Sequence, residues 1–292
     1  MNNEGYQKYY VPDQSPWPLV GAIALFFIAL GAGFFVIDMS KDQSGWGGYM
    51  FLLGVAILFV MLYGWFKNVV DESMAGLYSP QMDRSFKQGM SWFIVSEIMF
   101  FAALIGALFY ARFIAVPWLG GASNNEMTGA ILWPNFEAVW PLLTTPGGTE
   151  TQAMGWGLPL VNTIILVTSS VTLHFAHTGL EQNKRKQLTG MLLLTLILGV
   201  IFLGLQGYEY VLAYRDLGLR LDSGIYGNTF FILTGFHGMH VFLGALILFF
   251  VLLRVLKGHF TPEKHFAFQA GAWYWHFVDV VWIIVFCLVY VF

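Results

Sequence analysis

Glu97 stands in the run SWFIVSEIMFFAALIGALFYARF, and no other charged side chain lies between Lys87 and Arg112. A carboxylate in so apolar a run must be paired or protonated, because burial disfavours its charged form. Two roles fit: a group that holds or relays a proton, and a neutral acid hydrogen-bonded to a neighbouring helix. His276 and Asp279, in WYWHFVDVVW, are three residues apart, so they share one helix face and can bond each other or side chains of neighbouring helices. A structural polar pair is the favoured reading there over direct catalysis. His174/His177 and His237/His240 repeat the same spacing and invite a metal test. A di-iron bundle also needs inward Glu-x-x-His motifs, and neither histidine pair supplies one. One or two histidines suffice for haem, so spacing alone leaves haem open. Gly235, Gly238 and Gly244 around the second pair favour close helix packing, and we assign no metal to either pair. Arg254, Lys257, His259 and Thr261 place cationic and hydrogen-bonding groups together, a composition suited to lipid phosphate. Glu209, in QGYEY, has two candidate partners, Arg215 and a neighbouring subunit.

The elements that hold these groups are set by hydropathy. Of 292 residues, 57% are hydrophobic and only 11% charged, which excludes an ordinary soluble domain. Seven apolar runs are long enough to span a bilayer: 17–37, 46–66, 90–112, 156–177, 188–212, 229–253 and 270–292. The predicted class is an all-α polytopic membrane protein. Four segments follow: a cytoplasmic N-terminal stretch (1–16), a two-helix hairpin (17–66), a cytoplasmic charged linker (67–88) and a five-helix bundle (89–292). The first 18 residues lack a basic n-region and a small-residue cleavage site, so the first run is expected to stay in the mature chain. Glu97 falls seven residues into its run, about 10 Å below the interface at ~1.5 Å per residue. The loop 113–155 is rich in Gly, Pro, Thr and Trp and is expected to carry short helices.

Charge sets orientation. Lys8, Lys67, Arg84, Lys87, Lys184, Arg185, Lys186, Arg254, Lys257 and Lys264 fall on the side of the N-terminus, against Lys41, Arg112, Arg215 and Arg220 on the other. Ten against four predicts a cytoplasmic N-terminus and an outer C-terminus. Lys184-Arg185-Lys186 serves that bias. No basic cluster suggests nucleic acid, and the single cysteine, Cys287, can form no intramolecular disulfide.

Assembled in order, SPWPL (15–19), VDES (70–73), GMSWFIVSEIMFF (89–101), PLVNTIIL (159–166), YGNTFFILTGFHGMHVFLG (226–244) and AGAWYWHFVDVVW (270–282) carry a resemblance along nearly the whole chain. The sequence resembles subunit III of the haem–copper cytochrome c oxidases. That resemblance implies seven helices, with a two-helix N-terminal hairpin splayed from a five-helix bundle and lipid in the cleft. It implies a non-redox subunit that binds no cofactor of its own, with haem and copper in partner subunits. Such a subunit packs mainly against subunit I, with subunit II in the same complex, in a bacterial inner membrane. It stabilises the complex, supports proton uptake on the cytoplasmic side and holds phospholipids. Glu97 matches the carbodiimide-reactive carboxylate of the family's SE motif, and Glu72 its linker glutamate. Trp65, Glu72, Arg254, Lys257, His259 and Thr261 fall where the family contacts lipid. The chain departs from the family pattern at Leu77 and Tyr78, where two histidines are common, and at Gln269, where an acid is common.

Two other classes compete. A quinol oxidase subunit resembles the later helices but usually lacks the first two. A proton-coupled transporter commonly shows repeated halves and paired broken helices, and by eye the sequence shows neither.

Overall fold

The computed structural model describes residues 10–11, 14–41 and 43–292. Most of the N-terminal stretch, Lys8 included, lies outside the described residues. The described residues are predominantly helical, and seven helices among them are long and apolar enough to cross a membrane. Helices are the expected solution, since hydrocarbon offers no partner to backbone N–H and C=O groups. In chain order they are α1 (Trp17–Ser40), α2 (Gly47–Met74) and α3 (Pro80–Tyr110). α3 passes through a π turn (Ala111–Ala115) into the short α4 (Val116–Leu119). Then come α5 (Gly157–Glu181), α6 (Arg185–Arg215), α7 (Ile225–Leu256) and α8 (Phe266–Phe286), which ends in a second π turn (Cys287–Val291). The loop before α5 carries a further π turn (Thr128–Leu132) and one antiparallel bridge, Thr144 to Glu150.

The chain divides into two compact units, one ending at Phe86 and the other beginning at Lys87. In the first, α1 and α2 pack along each other. Glycines permit the approach: a Cβ on Gly31 would meet the backbone of Phe51, one on Gly47 the backbone of Phe35, and one on Gly54 the backbone nitrogen of Ile28 at 2.6 Å. With no hydrophobic force between helices in lipid, such close backbone contact is a main source of association. The charged stretch 67–88 is not an open linker. Helix runs on to Met74 and resumes at Pro80, leaving only residues 75–79 non-helical. Lys, Arg and Glu are good helix formers, so the end of the apolar pattern did not mark the end of the helix. Gly76, at φ +72°, stops it: Gly76 N–H donates to Ser73 O and Leu77 N–H to Glu72 O, a complete Schellman motif. Ser79 then caps the next helix, accepting from the Met82 N–H, with Pro80 at the first helical position.

In the second unit, α5, α6, α7 and α8 form a ring in which each helix packs on the next and α8 closes back on α5. Trp275 of α8 fills its centre and is 1% exposed. Its ring occupies space that a side chain on Gly199 of α6 or Gly244 of α7 would need. Its indole N–H donates to Ser169 Oγ of α5 at 2.9 Å. Seven residues on, two helical turns along the same face, Trp282 repeats the arrangement. Its N–H donates to Thr163 Oγ1 of α5 at 2.9 Å, Phe202 of α6 meets it edge-on at 4.9 Å, and His237 of α7 lies 4.9 Å away. Tyr290 makes a third layer, donating to Glu209 of α6 and packing on Phe230 of α7.

Truncating the central indole leaves a cavity that touches all four helices. Trp275→Ala is expected to cost about 3–5 kcal/mol, and Trp275→Phe clearly less, read as the fall in thermal midpoint of the purified membrane protein. An alanine variant as stable as wild type would show that Trp275 does not hold the ring together.

Candidate functional site

Glu97 lies near the middle of α3, and its Oε2 is 2.8 Å from Nε2 of His240 on α7. The pair sits among aromatic rings. Phe101 meets the imidazole edge-on at 5.0 Å, Phe100 stacks at 5.9 Å and Tyr274 of α8 at 6.4 Å. The Glu97 side chain is 20% exposed and His240 8%. His240 Nδ1 lies 2.6 Å from the carbonyl oxygen of Phe236, one turn back on the same helix. A carbonyl only accepts, so Nδ1 carries a hydrogen. The face between Nε2 and Glu97 then has two consistent states: a neutral imidazole accepting from a protonated carboxyl, or an imidazolium donating to a carboxylate. Each places one proton between the two atoms. The hydrogen bond to a neighbouring helix, one of the two roles open to Glu97, is thus observed.

His276 Nδ1 lies 3.1 Å from Ser170 Oγ of α5, and the Asp279 carboxylate meets the same serine. Of the two options for this pair, the neighbouring helix is therefore the one observed, with Ser170 shared between them. His237 donates from Nε2 to the carbonyl of Val278 on α8 at 3.1 Å and is fully buried. The two histidine pairs do not converge on one site. His177 of α5 instead faces His265, with their Nε2 atoms 3.5 Å apart. Glu209 accepts from the Tyr290 hydroxyl at 2.5 Å, a partner within the chain. That partner is 81 residues away in sequence, and only the folded ring brings it near.

Glu72, in the first unit, accepts from the Tyr78 hydroxyl at 2.8 Å. Tyr78, one of the two departures from the family's histidines, thus supplies a donor to the linker glutamate. Burial, then the bond to and charge of Glu72, push the Tyr78 hydroxyl well above its usual range. Trp65 is about half exposed and stacks on Phe66 at 5.7 Å.

In the second unit, α7 ends in another Schellman motif. Gly258, at φ +73°, donates to Val255 O, and His259 N–H donates to Arg254 O. Arg254 lies over the Phe260 ring at 4.6 Å, and the Thr261 hydroxyl accepts from the Lys264 N–H at 3.1 Å. Burial and the positive charges of Arg254 and Lys257 hold the His259 imidazole below its usual range. The motif thus gathers Arg254, Lys257, His259 and Thr261 at one end of one helix.

Seven helices long and apolar enough to cross a bilayer define a polytopic integral membrane protein. The family model for cytochrome c oxidase subunit III matches residues 7–292. Proteins described as cytochrome c oxidase subunit 3 align over 283 residues, 97% of this chain and 96% of theirs. Those from Formosania lacustris are 37% identical, and those from Gadus morhua and Oncorhynchus mykiss 36%. The chain belongs to the cytochrome c oxidase subunit III family.

Two measurements test these bonds. A double-mutant cycle with Glu97→Ala and His240→Ala is expected to give a coupling of about 1–3 kcal/mol in stability, while Glu97→Gln, whose amide can donate to Nε2, stays near wild type. A coupling near zero would mean that the pair is not bonded. Tyr78, held protonated by the fold, contributes stability that is fully present at neutral pH and declines only as pH climbs above ~10, the ordinary tyrosine value. Tyr78→Phe is expected to remove that alkaline decline, and an unchanged profile would exclude it.

Proposed function

We propose that this chain is the non-redox subunit III of a proton-pumping haem–copper oxidase that oxidises cytochrome c and reduces oxygen to water. In this reading it packs against subunit I, with subunit II in the same complex, in a bacterial plasma membrane with its N-terminus cytoplasmic. Haem and copper belong to the partner subunits. The chain's part is to stabilise the catalytic subunit, hold phospholipid and assist proton uptake on the cytoplasmic side.

The observation that carries this reading is the Glu97–His240 pair. It keeps one proton between two side chains within a membrane helix, partly open to its surroundings. A group of that kind can take up and return a proton near a proton route without being its only path. Family membership over 97% of the chain supports assembly with oxidase subunits. The Lys/Arg asymmetry of ten to four supports the orientation. Both membrane runs of the α1–α2 hairpin are present, which supports the cytochrome c branch over the quinol branch. For lipid, the cationic cluster at the end of α7 supplies phosphate-binding chemistry, and Trp65 supplies a half-exposed amphipathic ring.

Purification of the native membrane complex in mild detergent tests the reading. Haem–copper subunits should co-purify with the chain, and the complex should oxidise reduced cytochrome c. An isolated chain, or oxidation of quinol alone, would overturn it. Glu97→Gln is expected to leave assembly intact and to slow proton uptake only mildly, most visibly at high pH. Abolished turnover at neutral pH in a fully assembled Gln variant would instead make Glu97 an obligatory carrier.

A further inference from the structure

His177 and Glu181 lie one turn apart at the end of α5, and His265 immediately precedes α8. We propose that these three side chains form a binding site for a divalent transition-metal ion of the zinc class, with two imidazole nitrogens and one carboxylate oxygen as ligands. Their ligand atoms all lie within 4.8 Å of one another. His177 Nε2 is 3.5 Å from His265 Nε2 and 3.7 Å from Glu181 Oε1. A tetrahedral ion with bonds of about 2.0–2.1 Å sets its ligand atoms about 3.3 Å apart. The two separations from His177 therefore need to contract by only a few tenths of an ångström, and that between His265 and Glu181 lies within 4.8 Å.

The hydrogen bonding around the site favours ligation. His265 Nδ1 lies 3.2 Å from the carbonyl oxygen of Thr261, so Nδ1 carries the hydrogen and Nε2 presents its lone pair to His177. A backbone carbonyl on the outer nitrogen is the arrangement that orients metal-bound histidines. Without an ion, the two facing Nε2 atoms share a single hydrogen, which His177 must provide. With an ion bound, the His177 hydrogen sits on Nδ1 instead, a change of tautomer that leaves both rings as neutral ligands through Nε2. The donor set selects the metal. Two imidazoles and a carboxylate suit zinc and its first-row neighbours, whereas calcium and magnesium want oxygen throughout. Glu181 is 58% exposed, so a fourth position is open to water.

The scaffold is held on both sides. α5 ends in a Schellman motif with Asn183 at φ 56°, where Asn183 N–H donates to Leu180 O and Lys184 N–H to Gly179 O. Arg185 at the start of α6 donates to the carbonyl of Phe260 at 2.7 Å, drawing the connection between α7 and α8 against this end. His177 packs on Phe268 at 5.4 Å. A bound ion would join segments 88 residues apart and fix the α7–α8 connection to the end of α5.

The test uses the full chain in its detergent-solubilised native complex, stripped with a chelator and dialysed against micromolar zinc. Wild type should bind one zinc more than His265→Gln, with magnesium in excess not competing. Glu181→Gln should weaken that zinc by about tenfold or more. Zinc should also slow hydrogen exchange over residues 257–266 in wild type and not in the variants. Glu181 is exposed and its glutamine variant isosteric, so this variant decides the matter even where a histidine variant fails to assemble. Unchanged zinc affinity in Glu181→Gln, or equal stoichiometry in wild type and His265→Gln, would overturn the site.

Discussion

The second unit depends on one indole. Trp275 is large, its slot is made by the missing side chains of Gly199 and Gly244, and its only polar atom finds Ser169. Shape, backbone approach and hydrogen bonding thus specify the same arrangement at one point, with a residue from each of α5, α6, α7 and α8. In lipid, where apolar burial adds little between helices, close packing and satisfied polar atoms decide how they associate. The layers at Trp282 and Tyr290 continue the rule, each placing one aromatic ring from the end of the chain among side chains of earlier helices. The last helix and its terminal turn therefore supply the central ring of all three layers.

α3 is attached differently. It shares no close backbone interface with the ring and reaches it through side chains. Phe101 contacts Phe277, Phe93 contacts Tyr274, and Glu97 bonds His240. A carboxyl between helices without a partner would be costly, so the pair both joins α3 to α7 and keeps a titratable group at that junction.

Hydropathy alone predicted all seven spans, because the bilayer imposes a length and a composition on each. Helix ends were less legible. The charge-rich stretch after Phe66 looked like a linker, yet helix continues to Met74 until Gly76 stops it. Glu97 was identifiable as a costly residue, and its partner was not, since His240 is 143 residues away. Spacing placed His276 and Asp279 on one helix face and left open whether each other or a neighbouring helix was the partner, but it could not name Ser170 of α5. His265 carried no sequence signal at all, because its neighbour His177 comes close only when α8 closes onto α5. Local chemistry reads along the chain, whereas each of these pairings is decided by which helices meet.

His240 is committed at one of its two ring nitrogens. Its Nδ1–H is tied to the carbonyl of its own helix, one turn back. A proton that arrives at Nε2 cannot leave from the far side of the ring, because the acceptor there is a backbone oxygen that cannot itself take a proton and pass it on. The imidazole has one working face. Any hydrogen that the ring exchanges must therefore pass through the Nε2 face, the one that Glu97 occupies.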